Sequence, residues 1–162
     1  MLAVRYLALV ALVVWLGGMA VLGSIVAPST FRVLQAIDPG NGRVLAGALF
    51  GEVLGRFHLV AYACGAILVV CLFVMKFVGP PPRAFAIRAA IVAVMLALAL
   101  YSGIPVTREI ARVQSELSGP VSELPEQDAR RLRFDQLHRT STALMAVNMG
   151  FGLILLFWYA RE

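Results

Sequence analysis

Two histidines, His58 and His138, are the only imidazoles in a chain of 162 residues. Each falls where a polar stretch meets a long apolar run. Imidazole is costly beside hydrocarbon unless it is paired, so ionisable residues there are functional candidates. Two at one level could ligate a haem iron or a transition-metal ion, or relay a proton. The plainer alternative is that each bonds a backbone carbonyl or a carboxylate. Pro28, Arg32, Pro105, Thr107, Arg108 and Glu109 are expected at the same membrane face.

A second set of polar residues follows three- and four-residue steps: His138, Ser141, Met145, Asn148 and Gly152. That spacing puts them on one helix face, toward the interior of a bundle. Asn148, deep in an apolar run, must find a partner across a helix interface. Met145 and Met149 stand four apart, as in soft-metal ladders, although core packing explains them equally well. Trp15, Gly17, Gly18 and Tyr101 are expected to line the same interior, with Trp158 and Tyr159 in an interfacial aromatic belt.

The elements that must position these residues are four apolar runs over residues 2–27, 57–78, 84–104 and 140–160. Each reaches the roughly 20 residues a helix needs to cross a bilayer. The composition is 60% hydrophobic, more than a soluble domain of this size could bury. In lipid every backbone polar group must be paired internally, which helices achieve, and the alternating pattern of barrel strands is absent. The expected fold is therefore an all-α integral membrane protein, one domain over residues 1–162. It is a four-helix bundle with a helical cap opposite the termini, built from 41–56, 106–117 and 125–139. The opening apolar run exceeds a signal-peptide core, so it reads as a retained span.

Breakers divide the chain further. Pro28 should stop or bend the first helix, and Asp38-Pro39-Gly40-Asn41-Gly42 should turn it. Gly79-Pro80-Pro81-Pro82-Arg83 makes a stiff connector. Pro105 should kink or end the third span, and Ser118-Gly119-Pro120 breaks the segment after it. Pro125 should open the last helix, with Glu126 and Asp128 at its positive end. Gly47, Gly51 and Gly55, four apart, mark a face for close helix packing, within the fold or against a second subunit.

Lys76 is the only lysine among 14 basic residues, and the net charge is +5. The arginines sit at helix ends and in loops, where they anchor helices to headgroups rather than bind nucleic acid. The purely basic connector favours termini on the cytoplasmic side, in a bacterial inner membrane. Cys64 and Cys71, seven apart on one helix, cannot bridge each other. No Cys-x-x-Cys, phosphate loop, nucleophile elbow or His-Glu-x-x-His is present, so nothing favours an enzyme.

Trp15-Leu16-Gly17-Gly18, Pro28-Ser29-Thr30-Phe31, Phe57-His58, Pro105-Val106-Thr107, then Phe134, His138 and Ser141 occur in this order. That order resembles the transmembrane protein 205-like family across nearly the whole chain. The resemblance implies a four-helix membrane protein. An animal member is associated with resistance to platinum drugs, which implies transport or metal handling. It matches Pro28, Phe31, His58, Pro105, Thr107, Phe134, His138 and Ser141. Asn148 lies at a different offset and is not carried over. The Trp-x-Gly-Gly opening is also similar to the copper resistance D family and to the haem-binding protoporphyrinogen oxidase of bacteria, whose basic residue has no counterpart here. Three functions follow as expectations: a small transport or metal-handling protein that oligomerises, an accessory subunit of a larger membrane complex, and a haem or redox protein. Their partners are the lipid bilayer and a second copy or another membrane protein.

Overall fold

The computed structural model describes residues 1–79, 84–116 and 119–161. The connector expected at Pro80, Pro81, Pro82 and Arg83, the break at Ser118 and the acidic terminus at Glu162 lie outside the described residues. The chain forms α1 (Leu2–Val21), α2 (Ala27–Ile37), α3 (Gly42–Val78), α4 (Phe85–Tyr101), α5 (Thr107–Ser115) and α6 (Ala129–Ala160). A 3₁₀ turn over Val121–Glu123 precedes α6. Four helical stretches, Leu2–Ile37, Gly42–Val78, Phe85–Ser115 and Ala129–Ala160, are long and apolar enough to cross a membrane. The chain is a multi-pass membrane protein with an all-α bundle of four spans.

The spans form a closed ring: α1 packs on α3 and α6, and α4 packs on α3 and α6. Gly79 lies against Met1, which puts the α3 end beside the N-terminus. Leu12, Trp15, Leu68, Leu72, Val92, Met95 and Leu155 fill the interior and are wholly buried. Large apolar side chains such as Leu59, Val70 and Phe77 face outward, where lipid tails solvate them. A smaller apolar cluster of Val106, Val113 and Leu137, flanked by Phe134, joins α5 to α6 in the cap.

Neither Pro28 nor Pro105 stops its helix. Each sits at a π-turn, Leu22–Val26 before α2 and Ser102–Val106 before α5. Proline lacks an N–H and its ring crowds the carbonyl four residues back; one extra residue in the turn moves that carbonyl away. Ala27 N–H then reaches the Leu22 carbonyl, and Thr107 N–H the Ser102 carbonyl, each five residues back. Ser24 Oγ donates to Ala20, and Thr107 Oγ1 donates to Ser102 at 2.9 Å. Hydroxyls thus bond carbonyls beside both turns, as lipid requires.

The turn at Asp38 forms as expected. Its Oδ1 accepts from the N–H groups of Gly40 and Asn41 at 3.1 and 3.0 Å. Gly42 is needed there, because a Cβ would strike the Leu34 backbone. Two other expectations are corrected. The last helix starts at Ala129, not Pro125, because Asp128 is its cap, accepting from Arg130 N–H at 2.8 Å. Glu126 therefore precedes the helix and pairs with Arg131 at 3.7 Å.

The second correction concerns glycine. Gly51 and Gly55 have open space where a Cβ would stand, and Gly47 has only the Gln114 amide at 3.5 Å. Among the described residues no other helix fills the face at Gly51 and Gly55, so of the two expected contacts only that with a second subunit stays open there. The packing glycines are Gly18 under Phe57, Gly65 under Leu96, Gly103 under His58 and Tyr62, and Gly152 under Leu16.

Candidate functional site

Gly152 touches Leu16 of α1 and Met95 of α4, which fixes these positions at one level. Leu22 follows six residues beyond Leu16, and Ser102 seven beyond Met95. The two π-turns therefore lie at one depth, about 10 Å toward the cap. His58 of α3 reaches that level and packs its ring against Gly103, inside the second π-turn. His58 thus lies against Gly103, two residues before Pro105, at the face where topology expects both.

His58 is buried, 8% exposed, and its Nδ1 lies 2.9 Å from the Leu54 carbonyl. A carbonyl only accepts, so Nδ1 carries the hydrogen, and in the neutral imidazole Nε2 keeps its lone pair. Tyr62 stands one turn on, its ring 6.1 Å from the imidazole. Its hydroxyl donates to the Ala99 carbonyl at 3.4 Å.

His138 does not join this site. It is at a comparable height: ten residues before Asn148, roughly 15 Å toward the cap, while Gly103 lies roughly 12 Å beyond Met95. But Leu137 takes the inward position on α6, and His138 is exposed, stacked on Phe134 with ring centroids 6.3 Å apart. No hydrogen bond or ring contact links the two histidines among the described residues. Depth follows from residue count, whereas facing depends on helix phase. The stripe through Ser141, Met145, Asn148 and Gly152 turns inward progressively and continues to Leu155 and Tyr159, leaving His138 outside it. Two imidazoles so placed do not make the axial pair of a haem. Among the described residues no three His, Cys, Asp or Glu side chains gather as a metal site.

Asn148 found the partner expected of it. It is 4% exposed, and its Nδ2 donates to the Met95 carbonyl at 3.1 Å. Its buried Oδ1 has no hydrogen-bond partner among the described residues. Met145 reaches Gly23, within the first π-turn. Thus the cap-side half of the third span offers carbonyls at Met95, Ala99 and Ser102 to Asn148, Tyr62 and Thr107 in turn.

The remaining candidates lie farther out. Arg32 and Arg108 are exposed. Glu109 binds Arg112 at 2.7 Å and Arg133 at 3.5 Å, tying α5 to α6. The Arg112 hydrogen bond, with help from Arg133, holds the Glu109 carboxyl below its ordinary range. Tyr101, expected inside, faces outward, because the inward face of the third span is taken by Met95 and Ala99 of α4 and by Ser102 of the π-turn. Trp158 is half-buried, but Tyr159 turns inward.

Sequence reasoning missed three residues. Tyr62 could have been found four residues after His58 on the same face, and Gly103 by its place before Pro105. Arg88 was read as a rim charge, yet it is 3% exposed, over the Tyr159 ring at 5.1 Å and the Trp158 ring at 5.9 Å. Its position three residues inside α4 was the signal. Cys64 and Cys71 are buried free thiols, in keeping with apolar filler.

Residues 10–118 match a family described as a domain of unknown function, DUF4149, and the chain belongs to that family. The match runs from within α1 through α5, hence over His58, Tyr62, Gly103 and both π-turns. No curated protein and no solved structure matches the chain.

Proposed function

We propose that this chain is a small transport protein of the membrane, in which His58 meets the transported species and the two π-turns are where the bundle flexes. One observation carries this reading: His58 is buried beside a π-turn, held by Leu54 so that Nε2 is free to accept a proton or bind a cation. A π-turn at such a place marks a helix that has departed from regular geometry, frequently at a site of function. The interior toward the termini is filled by apolar side chains, so passage requires movement at the turns or assembly of copies. The resemblance to the transmembrane protein 205-like family supports transport or metal handling, with Nε2 of His58 as one ligand. Basic residues at the termini side support a bacterial inner membrane with cytoplasmic termini.

The test is cation flux in reconstituted vesicles, read first with protons under an imposed potential. Wild type and His138→Ala should conduct alike, and His58→Ala should not. Vesicles no leakier than empty ones, for protons and for mono- and divalent cations, would defeat the transport reading.

A second reading, an accessory subunit of a larger complex, is favoured by the unoccupied Gly51–Gly55 face. Cysteine cross-linking from Gly51→Cys would then capture another membrane protein or a second copy.

A further inference from the structure

The helix α3 is longer than a bilayer needs. Its 37 residues reach about 55 Å, against roughly 30 Å of hydrocarbon. With Lys76 at the headgroups of the termini side, about 20 residues of span put the opposite boundary near Phe57. The segment 42–56 therefore stands beyond the hydrocarbon.

One side of that segment is covered by this chain. Gly42 and Ala46 are buried, α2 packs on α3, and Gly47 meets Gln114 of α5. The other side carries Val44, Ala48, Gly51 and Gly55, at steps of four, three and four. Such steps keep residues on one seam, where a second helix can lie alongside. Val44 is 43% exposed, and Leu45 and Leu49 beside it are 51% exposed each. Ala48 and Gly51 are exposed as well. Lipid covers Leu59 and Val70 farther along α3, but it does not reach this seam. Exposed apolar surface outside lipid marks a contact with protein. The outward side of α6 beyond the membrane carries charge instead, at Arg130, Arg133, Asp135 and Arg139.

The chemistry of the seam selects its occupant. Glu52 and Arg56 beside it compensate each other at 2.8 Å, so the face can meet its own copy without opposed charge. An acidic partner would find its complement on the arginines of α6, not here. Copies in one membrane also share an orientation. A two-fold axis along the membrane normal then sets Ala48 against Ala48 and Gly51 against Gly51 at one height. Small side chains let the two backbones close in.

We propose that two copies of this chain join along the extramembrane part of α3, with the two helices side by side and parallel. The contact leaves out the His58 ring, so it stands or falls apart from the transport reading.

The experiment is cross-linking of Ala48→Cys, reconstituted without other proteins in phosphatidylcholine vesicles and treated with a short bis-maleimide. The buried Cys64 and Cys71 are a background common to every variant. Ala48→Cys should give a product of twice the chain mass. Leu132→Cys, exposed on α6, should give about tenfold less. Adding Val44→Arg to Ala48→Cys should lower the yield about tenfold, because like charges then face each other at one height. Exchanging the pair, Glu52→Arg with Arg56→Glu, keeps the face neutral and should preserve the yield. Adding His58→Ala should also preserve it. Equal yields from Ala48→Cys and Leu132→Cys would mean random collision and would overturn the proposal. So would a product found only in native membranes and containing a different protein.

Discussion

The bundle is closed by different means at its two ends. From Met95 toward the termini, Leu12, Leu68, Leu72, Val92 and Leu155 close the interior by packing, and the one buried charge, Arg88, lies over the Tyr159 ring at its far end. From Met95 toward the cap, Asn148, Tyr62 and Thr107 hang on carbonyls of one helix, beside two π-turns. Packing is intolerant of lost volume but indifferent to chemistry. A carbonyl-bonded wall tolerates small rearrangements, since each bond in a membrane is worth only about 0.6 kcal/mol on average. The rigid half and the adaptable half are thus divided near the Asn148–Met95 bond, and the candidate site lies in the adaptable one.

That contrast can be broken most forcefully in the packed half. Leu155→Ala should cost about 2–5 kcal/mol through the cavity it leaves, read by thermal unfolding in detergent. Gly152→Val should destabilise comparably, because its side chain would enter the space of Leu16, whereas Gly51→Val should be well tolerated. Equal effects at Gly152 and Gly51 would remove the distinction between packing and open glycines.

In the adaptable half the effects should be smaller. Thr107→Val should cost about 1 kcal/mol, leaving Ser102 to the backbone alone. Asn148→Leu should be nearly neutral: it surrenders the Met95 bond but also removes the unpartnered Oδ1. A large loss there would show that Asn148 holds more than one partner.

The smallest effect is at the cap and depends on pH. Hydrogen bonds from the Arg130 side chain and backbone lower the Asp128 carboxyl to about 2. A carboxylate lowered in the folded state stabilises fully above its ordinary value and stops doing so as pH falls through the folded one. The start of α6 should therefore fray between roughly pH 4 and pH 2. Amide exchange at Arg130 to Leu132 would report it, and Asp128→Asn should blunt the dependence.

Much of this was legible in the sequence because lipid simplifies the problem. Twenty apolar residues dictate a span, and alternation of spans dictates which ends share a side, so the common level of Pro28, His58 and Pro105 could be read directly. Asn148 could be trusted to find a partner, because none exists in hydrocarbon. What could not be read was rotation. His138 and Leu137 differ by one position, and only the packed bundle decides which faces in. Glycine spacing is ambiguous for a related reason: Gly47, Gly51 and Gly55 share a face, but nothing in their spacing says whether a helix of the same chain or of a second subunit packs on it.

The two π-turns carry a geometric consequence. Each inserts one residue into a helix that otherwise advances about 100° per residue. Everything beyond the turn is therefore out of phase with the span that leads to it. In the third span this brings Val106 and Val113 round to Leu137 and Phe134. A single-residue deletion at Gly103 would swing that apolar side away from α6 and undo the cap while leaving the span intact. The π-turns act as the angular setting between the part of the protein that belongs to lipid and the part that belongs to water.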